Sequence, residues 1–236
     1  MKYLAIRGCR IGEGRPKVIL PIVEQTEEAI LEKAAQFSTW KADCVEWRVD
    51  LFADAQDLSA VARCAAKLRV ALKDKLLLIT FRTKAEGGHA ALSHEDYLRF
   101  LRTVLDTDCA DLIDLEFFTA GADLPGMIAD AHTAGAAVVC SSHDFQKTPP
   151  RAELVDRMVR MQQAGADLPK LAVMPRSRTD VLELLAATAE MADCHPDTPV
   201  ITMSMGALGA VSRLAGEAFG SAMTFANPGT ASAPGQ

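Results

Sequence analysis

The chain has 236 residues, 49% of them hydrophobic and 24% charged, with a formal net charge of −6. That balance belongs to a globular chain and excludes a disordered one, which lacks the apolar surface to offset its conformational entropy. With 31 acidic against 25 basic residues, it also runs against a protein held to nucleic acid by phosphate contacts.

Residues 1–16 hold two short apolar runs around Gly8 and Gly12-Glu13-Gly14 and predict a hairpin, while Arg7 and Arg10 interrupt what would otherwise be a signal-peptide core. Short apolar, β-branched runs then predict strands over 17–23, 44–50, 75–82, 111–117, 136–142, 169–175, 199–205 and 222–226. Between them, helices are predicted over 25–39, 57–72, 93–106, 121–134, 150–165, 178–192 and 209–219. Thr26 ahead of Glu27 and Glu28, and Ser93 ahead of Glu95 and Asp96, mark two helix starts. No apolar run reaches bilayer-spanning length, so no membrane contact is expected.

Strand–helix alternation with crossover-length helices requires a parallel sheet. Eight such repeats predict one α/β domain over 1–236, a (β/α)8 TIM barrel whose lower mouth the N-terminal hairpin covers. A doubly wound open sheet is the alternative, but Glu24-Gln25-Thr26 after the first strand offers no glycine-rich dinucleotide fingerprint. Eight strands meet only seven predicted helices: the chain reaches Gln236 in a Gly-, Pro-, Ser- and Ala-rich loop, and the eighth helix is absent from it.

The six cysteines (9, 44, 64, 109, 140 and 194) show neither a CxxC pair nor zinc spacing and read as free thiols of a reducing, cytoplasmic setting. There is no phosphate loop and no HExxH helix, so a phosphate-loop or zinc-helix chemistry is not expected.

In a barrel, chemistry sits at the C-terminal strand ends, and the polar residues collect there. Glu46, Arg48 and Asp50 alternate onto one face of the second strand, the third ends at Arg82, and the fourth ends in Asp114 and Glu116. The fifth delivers Ser142, His143 and Asp144, and the sixth carries Lys170 beside Leu171-Ala172-Val173-Met174. Each has a plain structural reading: Glu86 as a turn cap, Glu116 as an arginine's partner, His143 as a rim histidine, Lys170 as a snorkelling side chain. Together they read differently. A lysine among apolar residues is suited to attack a carbonyl as a neutral amine, a histidine to move protons, and a carboxylate to hold that histidine's tautomer. Glu86, His143 and Lys170 fit those three parts.

The same residues carry a resemblance to the type I 3-dehydroquinate dehydratases of the shikimate pathway. It runs through Glu46-Trp47-Arg48-Val49-Asp50, Thr80-Phe81-Arg82, Glu86-Gly87-Gly88, Ile113-Asp114-Leu115-Glu116 and Ser142-His143-Asp144-Phe145. It continues in Pro169-Lys170-Leu171-Ala172-Val173-Met174-Pro175, Ile201-Thr202-Met203-Ser204-Met205-Gly206, Ser212-Arg213-Leu214-Ala215-Gly216, Gly220-Ser221 and Ala231-Ser232-Ala233-Pro234-Gly235-Gln236.

The resemblance implies a cofactor-free hydro-lyase that converts 3-dehydroquinate to 3-dehydroshikimate and water by syn elimination. It assigns the imine to Lys170, general acid–base chemistry to His143 and the tuning of that histidine to Glu86. It assigns substrate carboxylate binding to Arg213, contacts on the hydroxyl side to Glu46, Arg48 and Arg82, and lid closure to Ser232 and Gln236. It also implies a homodimer, and a helix after the lid loop that these residues do not include. An aldolase-type cleavage on the same imine and a non-catalytic barrel that senses a pathway intermediate are the competing readings.

Overall fold

A computed structural model describes residues 2–227. In chain order it begins with β1 (Leu4–Ile6), β2 (Cys9–Ile11), β3 (Lys17–Ile22), α1 (Glu27–Ser38), β4 (Cys44–Arg48), α2 (Leu58–Leu72), β5 (Leu76–Thr80) and α3 (His94–Leu105). There follow β6 (Leu112–Glu116), α4 (Phe117–Ala120), α5 (Leu124–Thr133), β7 (Ala137–Asp144) and α6 (Arg151–Gln163). The last are β8 (Leu168–Val173), α7 (Arg178–Cys194), β9 (Ile201–Ser204), α8 (Ala210–Leu214), α9 (Gly216–Phe219) and β10 (Met223–Phe225).

Helix starts follow side-chain chemistry. Thr26, Asp57, Ser93 and Ser177 each accept a first-turn backbone N–H of α1, α2, α3 and α7, caps worth about 1 kcal/mol apiece. Glu27, Glu28, Glu95, Asp96 and Asp180 sit in those first turns, where the helix dipole favours negative charge.

Strands β3 to β10 pair in the order β10-β3-β4-β5-β6-β7-β8-β9. The two outer members of that order are themselves neighbours: a parallel bridge joins Val200 to Ser221, and the Ala222 N–H donates to the Val200 carbonyl at 2.8 Å. Consecutive strands therefore neighbour one another with helices between them, as the alternation requires.

The chain divides into two compact units, Ile19–Val138, and Met1–Val18 with Val139–Gln236. In Ile19–Val138 every residue of β4, β5 and β6 is buried, the pattern of parallel strands covered on both faces. Trp47 is fully buried with its ring edge-on to Phe52 at 5.7 Å, and Phe81 meets Phe100 at 5.2 Å. Arg69 closes the turn between α2 and β5, donating to Asp111 Oδ2 at 2.6 Å and to the Lys75 carbonyl at 2.7 Å. The same Asp111 oxygen accepts the Leu77 N–H.

In the second unit, β8 is buried throughout and β9 likewise. The predicted N-terminal hairpin is present, with Leu4 opposite Ile11. It packs on the segment that leads into β9: the Lys2 N–H donates to the Pro196 carbonyl at 3.2 Å, and Gly12 lies against Pro199. Short helix α8 is fastened to β9 by Ser212, whose hydroxyl accepts the Ser204 N–H at 2.9 Å and donates to the Gly209 carbonyl at 2.7 Å.

Most predicted ends shift by one or two residues, the strand over 75–82 ending at Thr80 and that over 199–205 shortening to Ile201–Ser204, and three larger differences stand out. The strand predicted over 44–50 ends at Arg48, and Val49–Leu51 form a 3-10 turn, because Arg48 and Asp50 bond to each other and curl the backbone. The helix predicted over 209–219 is two short ones: Ala215 ends α8 and Gly220, left-handed at φ 94°, ends α9. Phe117–Ala120 is an additional short helix directly after β6.

Cys44, Cys64, Cys109 and Cys140 are buried, Cys9 is partly buried and Cys194 is exposed. Among the described residues no helix is long and apolar enough to cross a membrane.

Candidate active site

Within Ile19–Val138 the C-terminal ends of β4, β5 and β6 carry a buried lattice of charge. Glu46 accepts the Thr80 hydroxyl at 2.9 Å. The Arg48 guanidinium forks onto Asp50, and Asp50 also accepts the backbone N–H groups of Arg82 and His89. Arg82 reaches three carboxylates: Asp114 at 2.8 Å, Glu116 at 2.9 Å and Glu86 at 3.5 Å. Burial works against the charge on Arg82, but Asp114, Glu116 and Glu86 outweigh it and hold its pKa above the ordinary value. Arg48 follows the same balance, burial opposed and overcome by Asp50.

Glu86 is buried in a single 3-10 turn, Lys84–Glu86, that follows β5. The turn folds back on itself: the Glu86 and Gly88 N–H groups both donate to the Thr83 carbonyl, at 3.0 and 2.8 Å. A Cβ on Gly88 would lie 1.8 Å from the Arg82 carbonyl oxygen, so only glycine admits this return. Glu46, Arg48, Arg82 and Glu86, all selected from sequence, thus share one charged network within this unit.

In the second unit, Lys170 on β8 is 3% exposed, and its Nζ lies 4.7 Å from the centroid of the Phe225 ring. The strand register fixes the rows of this sheet face. Ser141, Lys170 and Ile201 form one row; His143, Ala172 and Met203 form the row two residues nearer the C-terminal strand ends. His143 and Lys170 therefore share a face on adjacent strands, one layer apart. The His143 ring stacks with Phe145 at 6.4 Å. Arg213, half-buried on α8, donates to Met203 Sδ at 3.6 Å, and burial pulls its pKa below the usual value.

The neighbours of His143 in sequence do other work. The Ser142 hydroxyl accepts from Arg157 of α6 at 3.1 Å, so it faces the helix layer. Asp144 Oδ1 accepts the N–H groups of Gln146 and Lys147 and shapes the following turn. Ser232 and Gln236 lie outside the described residues. Among those described, no group of three or more His, Cys, Asp or Glu side chains is arranged to hold a metal.

Several participants were not selected from sequence: Phe225 under the lysine, Met203 under the arginine, and Thr83 and Tyr97 around Glu116. Phe225 had a readable signal, since Met223 and Phe225 alternate onto one side of their strand. Thr83 and Tyr97 had none, because their bonds are set by tertiary contacts.

Comparison with known proteins places the chain in a family. The family model described as type I 3-dehydroquinase matches residues 18–236. The 3-dehydroquinate dehydratase of Bacillus subtilis (strain 168) is 47% identical over 236 residues, covering 100% of this chain and 92% of the relative. Among solved structures, the type I 3-dehydroquinate dehydratase of Clostridium difficile with covalently modified comenic acid superposes with a TM-score of 0.96 at 42% identity, over 100% of this chain and 93% of that one. The 3-dehydroquinate dehydratase of Geobacillus kaustophilus HTA426 gives 0.95 at 35% identity, over 100% and 91%. These likenesses, extending over the whole length, show the (β/α)8 barrel. On sequence and fold alike, this chain belongs to the type I 3-dehydroquinase family of enzymes.

Proposed function

We propose that the chain is a 3-dehydroquinate dehydratase, converting 3-dehydroquinate to 3-dehydroshikimate and water through an imine on Lys170. The supporting observation is the placement of Lys170: a residue 3% exposed, one layer beneath His143 on the same sheet face. Burial of this kind excludes bulk water from a carbon–nitrogen double bond. A covalently modified ligand in a relative 42% identical to this chain fits a site that forms bonds with its ligands.

The chemistry follows in balanced steps. The Lys170 amine adds to the ketone and water departs, leaving a protonated imine. His143 takes a proton from the adjacent carbon, and the electron pair moves into the imine, giving an enamine. The pair returns as the β-hydroxyl leaves, and His143 gives its proton to that hydroxyl. Taking and giving on one side is what a syn elimination needs. Water then releases product and restores the amine.

Glu86 is the carboxylate of the proposed catalytic set. Arg213, half-buried with its pKa lowered by burial, is proposed for the substrate carboxylate, which a guanidinium binds with two parallel hydrogen bonds. Glu46, Arg48 and Arg82 are proposed for the hydroxyl side, and Ser232 and Gln236 for the closing loop. The family resemblance also supports a single barrel domain, a homodimer and a cytoplasmic location.

The test is borohydride reduction during turnover, with the adduct located by peptide mass and the product identified directly. An adduct on Lys170 together with 3-dehydroshikimate supports the reading. A folded protein that makes neither sinks it.

A further inference from the structure

We propose that Glu116 is a positioning residue for Glu86, acting on its backbone through Thr83 and on its side chain through Arg82. The inference rests on the dehydratase reading, in which Glu86 belongs to the catalytic set.

The Glu116 carboxylate is fully buried at the end of β6, and its acceptor capacity is filled. Oε1 accepts Arg82 Nη1 at 2.9 Å and the Thr83 N–H at 2.8 Å. Oε2 accepts the hydroxyls of Thr83 at 2.7 Å and Thr119 at 2.6 Å. The Glu116 N–H donates to the Tyr97 hydroxyl at 2.9 Å, which fixes the end of the strand from the α3 side.

Two short paths lead from this carboxylate to Glu86. Along the backbone, Thr83 is held by Glu116 through both its N–H and its hydroxyl, and its carbonyl accepts the Glu86 N–H at 3.0 Å. Along the side chains, one guanidinium nitrogen, Arg82 Nη1, lies 2.9 Å from Glu116 and 3.5 Å from Glu86. A shift of Glu116 would be passed to both ends of Glu86. Every acceptor site of this buried carboxylate is filled, so moving Thr83 or Arg82 would leave it unsatisfied at the cost of a buried charge, and the turn is held against it.

Three variants test this: Glu116→Gln, Thr83→Val and Thr83→Ser. Glutamine keeps the size and one acceptor oxygen but removes one of the three carboxylate charges that share Arg82, the one that shares its Nη1 with Glu86. Valine keeps the shape of Thr83 and removes only the hydroxyl, so it tests the backbone path even if Glu116→Gln fails to fold. Serine restores the hydroxyl. We expect Glu116→Gln and Thr83→Val to lower kcat about tenfold with KM within about twofold, since misplacement of a catalytic group acts on the chemical step. Thr83→Ser should recover most of that loss, which a purely structural role for the threonine methyl would not allow.

A folded Thr83→Val protein with wild-type kcat overturns the proposal. So does a rise in KM at unchanged kcat, which would make Glu116 a support for substrate contact by Arg82. Failure of the wild-type protein to turn over and to trap an adduct on Lys170 overturns the dehydratase reading itself, and this inference with it.

Discussion

Arg48 and Asp50 meet through two parallel hydrogen bonds, Nε to Oδ1 and Nη2 to Oδ2, each 2.8 Å long. Asp50 then has its remaining capacity taken by the Arg82 and His89 N–H groups. Asp50→Asn keeps one acceptor oxygen and leaves a buried guanidinium short of its counter-charge. Removing one partner of such a pair costs about 3–5 kcal/mol, with the amide toward the lower end. Urea unfolding should show the loss as a lower midpoint, and KM should rise as Arg48 loses its fixed direction. An unchanged midpoint would mean that other groups already carry the Arg48 charge.

Lys170→Ala should abolish turnover while the protein still binds substrate, as calorimetry would show. His143→Ala should slow dehydration by a factor on the order of 10²–10⁴, the range for a lost general acid–base group, with the adduct on Lys170 still trapped by borohydride. Full activity in the Lys170→Ala protein would remove the imine from the mechanism.

Gly88→Ala places a methyl group 1.8 Å from the Arg82 carbonyl oxygen, where backbone rather than a flexible side chain blocks it. The Thr83–Gly88 return must open, and Glu86 moves with it. We expect a loss of stability of about 1–3 kcal/mol, the cost of overpacking, with a fall in kcat that exceeds what the stability loss explains. Thermal unfolding and steady-state kinetics on one preparation separate the two.

His94 begins α3 and bridges two groups, Asp123 Oδ2 at 2.7 Å and the Thr119 carbonyl at 2.9 Å. The hydrogen bond to Asp123 is the main cause that raises its pKa, with the Thr119 carbonyl second. A histidine raised in the folded state stabilises fully below its unfolded pKa, about 6.5, and that increment fades as pH climbs through the folded value. The difference in urea midpoint between wild type and His94→Asn should therefore be largest below about pH 6.5 and shrink at higher pH. A difference independent of pH would assign the role of His94 to neutral hydrogen bonds.

How much of this was legible in the sequence depends on the range of the interaction. Strand and helix alternation needs only local periodicity, and it gave all eight parallel strands and the hairpin. Lys170 stood out as a charge inside an otherwise apolar strand and His143 as a histidine near the end of its own; that the two share one sheet face is set by the pairing of β7 with β8. Pairing of Glu116 with an arginine was foreseen, but not its hold on Thr83, since the Thr83 backbone and hydroxyl reach Glu116 across 33 residues of chain. Asp50 was placed on the face of an extended strand. A bond to its near neighbour Arg48 curls that strand end, a local effect that alternation alone does not encode. The break at Ala215 in the predicted seventh helix was likewise hidden, because α8 is shaped by the Ser212 anchor on β9.

The buried thiols equip the chain with its own clock for opening. Burial, followed by the charge of Glu27, pushes the Cys64 thiol up to about 12, so in the folded chain it stays a protonated, unreactive thiol near neutral pH. Cys64 lies on α2, Cys44 on β4 and Cys140 on β7, whereas Cys194 is exposed at the end of α7. A disulfide reagent should modify Cys194 at once and Cys44, Cys64 and Cys140, like the buried Cys109, only as fast as their own segments come apart. Mass-resolved labelling would then show, site by site, whether the stretch around α2 loosens before β7 or whether the chain gives way as a single cooperative body.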